Sequence, residues 1–129
     1  MRFNSVYNPN LHIIEVTTDG LAAVTDLLEM VHRNAELCRK EGSANILVDH
    51  SELDASSLTM RDIQTISDAC VSLKESFEKR RCAHVVSNAL QFGFVRAWEM
   101  LIEANGLTEL TTKLFKKREE ALAWVKESS

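Results

Sequence analysis

Asp49, His50 and Ser51 stand side by side and are the residue types of a hydrolytic triad. Their spacing denies that chemistry, because neighbours on an extended chain point to opposite faces and cannot relay a proton among themselves. No Gly-x-Ser-x-Gly elbow accompanies them. His12, His32, His50 and His84 lack metal-like spacing, and His12 and His84 fall within predicted strands, where satisfied sheet histidines are expected rather than ligands. Cys38, Cys70 and Cys82 are odd in number, widely spaced and without a Cys-x-x-Cys pair, so buried free thiols are expected in place of a disulfide framework or a zinc knuckle. No glycine-rich phosphate loop occurs. Two short basic runs stand out. Lys79-Arg80-Arg81 reads as a solvated helix end, and Lys116-Lys117-Arg118 sits where an anion could approach. Trp98 and Trp124 occupy core-like helical spacings. No catalytic constellation is recognisable, and neither an enzyme nor a cofactor or metal is expected.

The elements that must position these residues follow from hydrophobic periodicity. Asn8-Pro9-Asn10 is a turn cluster, and Leu11 to Thr17 reads as a strand available to pair with Phe3 to Tyr7 in a hairpin. Asp19-Gly20 is expected to end it. From Ala22 to Lys40, apolar residues at 24, 27, 28, 31, 35 and 38 mark one face of a helix closed by Gly42. Ala44 to Asp49 is a short apolar run ending in an acid, the pattern of a buried parallel strand. A polar loop is predicted over His50 to Leu58. Thr59 and Asp62 then resemble a capping box opening a helix that carries Met60 to Phe77. Cys82 to Val86 is a strand. Ser87 or Asn88 caps a helix from Leu90 to about Ala104, and Leu110 to Phe115 and Arg118 to Lys126 close the chain as strand and helix. The order β-β-α-β-α-β-α-β-α predicts an α/β fold with a mixed, mostly parallel five-stranded sheet and four main helices.

In such sheets ligands lie outside the carboxyl ends of the strands. That rim gathers Asp49, His50, Asp54, Ser56, Ser57, Ser87 and Asn88. Arg96, two turns into its helix, either swings toward this rim or pairs with Glu99 or Glu103. Asp49 is expected to cap the following loop or meet a ligand, since an unpaired buried charge is costly. The expected core includes Leu28, Val31, Ile46, Val48, Ile66, Leu73, Val85, Val86, Leu101 and Leu122. Phe92, Phe94, Trp98 and Met100 are many large groups for one narrow helix face, which points to a homodimer.

Composition bounds the function. The 129 residues suit one domain, 1–129, and a chain this long buries about two-thirds of its unfolded surface. Fifteen basic against nineteen acidic residues give −4, which argues against nucleic acid as partner. The N-terminus lacks the apolar stretch of a signal peptide, and no apolar run approaches the roughly 18 residues of a transmembrane segment. A cytoplasmic protein is expected, in keeping with its cysteine usage.

Three stretches carry a family resemblance. Ile46-Leu47-Val48-Asp49 resembles an apolar strand ending in Asp; Phe92-Gly93-Phe94-Val95-Arg96 resembles a Phe-Gly segment followed by Arg at a helix start; Phe115 with Glu119 to Val125 resembles a closing strand and an Ala-Leu-x-Trp helix. In order and spacing the chain resembles the STAS-like superfamily, in particular the small bacterial anti-sigma-factor-antagonist-like proteins of STAS/CRAL-TRIO-like type. The resemblance implies a non-enzymatic regulatory module that docks a protein partner and is controlled by phosphorylation of a hydroxyl at the start of the second helix. There the family has Asp-Ser-Ser/Thr-Gly, whereas this chain has Asp54-Ala55-Ser56-Ser57-Leu58, leaving Ser56 and Ser57 as acceptors. Lys117 stands where an Asp is frequent. The CRAL-TRIO likeness implies an alternative, a module binding a small apolar or anionic ligand or lipid in a cavity lined by Phe92, Phe94, Val95 and Trp98.

Overall fold

The computed structural model describes residues 1–127. The strands are β1 (Arg2–Asn8), β2 (Ile13–Leu21), β3 (Asn45–Asp54), β4 (Arg80–Val85) and β5 (Leu110–Phe115). The helices are α1 (Val24–Glu41), α2 (Met60–Ser72), the one-turn α3 (Lys74–Phe77), α4 (Ala89–Ala104) and α5 (Arg118–Lys126). The strands form one α/β sheet in the order β1-β2-β3-β4-β5. β1 is antiparallel to β2 and the other pairings are parallel, as the alternation of elements predicted.

Strand alternation divides the core between the two sheet faces. Ile14, Val16, Ile46, Val48 and Cys82 face α1, α2 and α4, together with Leu27, Val31, Ile66, Phe94, Val95 and Ile102. Ile13, Leu47, Ala83 and Val85 face the opposite way, against Ala121 and Val125 of α5. Burial on both faces explains why Ile46-Leu47-Val48 shows no polar alternation. Leu28, Leu73, Leu101 and Leu122, expected in the core, are only half-buried: Leu28, Leu101 and Leu122 sit at the margin of a helix's apolar stripe, and Leu73 lies at the break between α2 and α3.

Three boundaries differ from the sequence reading. Asp19-Gly20 does not end β2. The strand continues to Leu21 across a register shift between Thr17 and Asp19, and Gly20 takes φ 85°, a conformation that costs glycine little. This extension gives Glu52, Leu53 and Asp54 a partner, so β3 runs on to Asp54 and the expected loop over 50–58 shrinks to 55–59. The helix expected to reach Phe77 breaks at Leu73, after which α3 makes one turn. Arg80 and Arg81 therefore belong to β4 and not to a solvated helix end. Arg80 donates to the Ala44 and Gly42 carbonyls, and Arg81 donates to Trp124 O and the Glu127 carboxylate. The Thr59–Asp62 capping box forms as predicted, with reciprocal bonds of 3.1 and 3.0 Å.

Candidate functional site

The carboxyl edge of the parallel strands is assembled by the ends of β2 and β3 and the starts of α2 and α4. β3 outruns β4. Its pairing with β4 stops at Asp49, so the carbonyls of Ser51 and Leu53 project on the side that β4 has left. Two side chains from the start of α4 take over that ladder. Gln91 Nε2 donates to Ser51 O (3.1 Å) and Leu53 O (2.9 Å), and Ser87 Oγ donates to Ser51 O (2.9 Å). Gln91 Oε1 accepts the Ser87 N–H at 2.6 Å. Gln91 is 1% exposed and fully engaged, as a buried amide must be. The sequence reading missed it. Its signal was a polar residue in register with Phe94, Val95, Trp98 and Ile102 on the buried stripe of α4.

Each expected site residue has a definite place. Asp49 is half-buried on the α5 side of the sheet. Its Oδ1 accepts the Ser51 N–H (2.9 Å) and hydroxyl (2.6 Å), and its Oδ2 accepts from Arg118 (3.0 Å), which also reaches Glu15 at 3.2 Å. Burial opposes its ionisation, yet the Ser51 hydrogen bonds and the Arg118 charge outweigh it and hold the carboxyl below its ordinary range. Asp49 thus caps the chain that follows it, and Arg118 is consumed rather than offered to an anion.

His50 is not on the rim. Because β3 continues as a strand, alternation turns His50 into the core at 2% exposure. Its Nδ1 lies 2.7 Å from Thr18 Oγ1, and its ring stacks on His84 with centroids 5.8 Å apart and planes at 20°. Burial pushes His50 down to about 4; burial and the neighbouring His50 push His84 down to about 3. Both rings are neutral near pH 7.

Asp54, Ser56 and Ser57 remain at the edge. Asp54 Oδ1 accepts the Ser56 N–H at 3.0 Å, and hydrogen bonds from Ser56 hold its carboxyl below the usual range. Ser57 Oγ donates to Ala22 O at 2.7 Å, tying this turn to the end of β2. Asn88 caps α4 by accepting the Gln91 N–H at 2.9 Å. Arg96 takes the pairing alternative. It binds Glu99 at 2.9 Å, and Glu99 also accepts from Thr112 of β5, so Arg96 is drawn along α4 away from the edge. The structure brings together Asp54, Ser56, Ser57, Ser87 and Asn88 on one edge; it places Asp49 on the α5 side of the sheet, His50 in the core and Arg96 farther along α4.

The edge is also apolar. Six large apolar side chains stand exposed among the described residues, and four of them are here: Leu21 closing β2, Met60 opening α2, and Leu90 and Phe92 in the first turn of α4. An open groove of about 480 Å³ runs beneath the α4 start between Ser87, Asn88, Phe92, Phe115 and Lys116. Inside the molecule, a cavity of about 50 Å³ lies between the sheet and α1, α2 and α4, lined by Phe94, Val95 and Trp98 along with Asn34, His50 and His84. Phe92 is not part of it. Phe94 and Trp98, counted on for a dimer surface, are core residues, and only Phe92 and Met100 of that set face outward.

A family model described as SpoIIAA-like matches residues 13–126, from the start of β2 to the end of α5. The chain belongs to the SpoIIAA-like family. No curated protein and no solved structure gives a significant match. SpoIIAA-like membership supports a non-enzymatic regulatory module of the anti-sigma-factor-antagonist type. Among the described residues, no helix is long and apolar enough to cross a membrane, and no group of three His, Cys, Asp or Glu side chains is placed to hold a metal ion.

Proposed function

We propose that this SpoIIAA-like chain is a cytoplasmic interaction module that docks a protein partner on the carboxyl edge of its sheet, with phosphorylation in the 54–57 turn as the control. The observation that carries this reading is the crowding of Leu21, Met60, Leu90 and Phe92 around the turn that displays Ser56 and Ser57. Exposed apolar residues gathered on one edge mark a protein contact. Of the two serines, Ser56 is the better acceptor, because the Ser57 hydroxyl is held by Ala22 O. A phosphate on Ser56 would place about −2 charge against the Asp54 carboxylate, which Ser56 itself now stabilises. The turn would have to open, and the apolar patch beside it would change shape and charge together.

Affinity capture from native cells tests the reading. Wild-type protein should retain a partner that the Leu21→Ser/Met60→Ser/Leu90→Ser variant does not, while both keep the same circular dichroism. Equal capture by both refutes edge docking. Intact mass of protein from those cells should show a phosphorylated species lost in Ser56→Ala.

The second reading, binding of a small apolar or anionic ligand, has two observations in its favour. Asn34 Oδ1 is buried without a hydrogen-bond partner among the described residues, and His84 has only the Cys82 sulfur near its ring nitrogens. The cavity of about 50 Å³ has room for a few water-sized groups and not for an acyl chain. A small acid co-purifying in native mass spectrometry would favour this reading.

A further inference from the structure

The sheet has two open edges, and they are not alike. β5 carries Lys113 and is followed by Lys116 and Lys117, the kind of charge that discourages strand addition. β1 is seven residues long, unbulged and free of proline, and its single charge, Arg2, is engaged by Asp19. Val6 stands 45% exposed on it.

α1 leans over this edge. It packs on β1 as well as on α2, and between α1 and β1 runs a groove of about 590 Å³ with Asn4, Ser5 and Val6 as one wall and Glu29, His32, Arg33 and Glu36 on the other. The groove has an orphan polar group. Ser5 is 6% exposed, and its Oγ has no hydrogen-bond partner among the described residues. It also has a sign. Arg33 lies 3.7 Å from Glu36 and balances it, while Glu29 forms no ion pair among the described residues, leaving the helix wall acidic.

We propose that the β1 edge is a second protein-binding site, which takes an extended segment of a partner protein with alternating basic and apolar residues as a sixth strand. Such a strand would lie about 4.8 Å from β1 and share its free main-chain groups. Alternation would send its basic side chains up toward Glu29 and Glu36 and its apolar ones down beside Val6. A second copy of this chain fits poorly. Antiparallel pairing of β1 with itself would set the walls carrying Glu29 and Glu36 of the two copies face to face. This site is independent of the carboxyl edge.

The probe is an acetylated peptide of alternating lysine and valine, titrated into the full chain and followed by backbone amide NMR. Shifts and slowed amide exchange are expected along 3–7, with none at Met60 or Leu90. The same peptide N-methylated at every lysine, or at every valine, separates pairing from charge attraction. One of the two must lose binding and the other keep it, since a strand offers β1 only one of its edges. Glu29→Gln/Glu36→Gln, both at the surface, should bind about fivefold more weakly through loss of two exposed ion pairs. An alternating glutamate–valine peptide should not bind. Shifts elsewhere, no shifts at millimolar peptide, indifference to both N-methylations, or equal binding of the acidic peptide each overturn the proposal. So does slow amide exchange at Ser5 in a dimer without peptide, which would assign the edge to a second copy.

Discussion

Replacing Gln91 by alanine removes the side chain that substitutes for β4 along the last residues of β3. Three hydrogen bonds go with it, at 2.6, 2.9 and 3.1 Å. Their loss is unequal. The Ser87 N–H is at an exposed residue and rehydrates, and Ser51 O keeps the Ser87 hydroxyl. Leu53 O belongs to a residue 2% exposed and faces the side that β4 has vacated, so it loses its partner. An orphaned buried carbonyl costs about 1–3 kcal/mol and the remaining bonds about 1 together, so Gln91→Ala should lose about 2–4 kcal/mol in urea titration. Hydrogen exchange should quicken over 51–57 and around Ser87, while β1 and β5 keep their protection. A loss below about 0.5 kcal/mol, with unchanged exchange at 51–57, would refute the claim that this amide holds the docking edge in place.

Ile102 is 2% exposed in the layer between α4 and the sheet, and Ile102→Ala should cost about 2–5 kcal/mol in the same assay. Thr59→Ala breaks the capping box of α2 and should cost about 1 kcal/mol, with Thr59→Ser nearly neutral. His50 and His84 are held down to about 4 and about 3 against an ordinary 6.5, so below 6.5 the unfolded chain binds protons that the folded chain refuses. Stability should therefore be full above about pH 6.5 and fall as the pH drops toward 4. A urea midpoint unchanged from pH 7 to 4.5 would contradict that placement of the two rings.

Much of the fold was legible because its patterns are local. The apolar run at 44–49, the heptad-like spacing of α1 and the Thr59–Asp62 box each appear where their residues predict. What escaped depended on pairing across the chain. Asp19-Gly20 is a stop signal in isolation, yet a bulge lets β2 pass through it and carries β3 to Asp54. That one extension moves His50 from loop to core. Gln91 escaped notice because its partners are carbonyls 38 and 40 residues away. Arg96 was ambiguous because Glu99, three residues on, and an open helix start compete for it; burial of Glu99 beside Thr112 decides the matter. The apolar edge was missed because Leu21, Met60, Leu90 and Phe92 lie in three separate stretches of sequence that only the sheet order brings to one side.

Hydrogen–deuterium exchange of the chain bound to the partner it captures from native cells tests edge docking most directly. Protection should rise over 51–60 and 87–93 and be weakened by a phosphate on Ser56. Protection confined to α5 and the sheet face it covers, with 51–60 and 87–93 exchanging as in the free chain, would contradict the account.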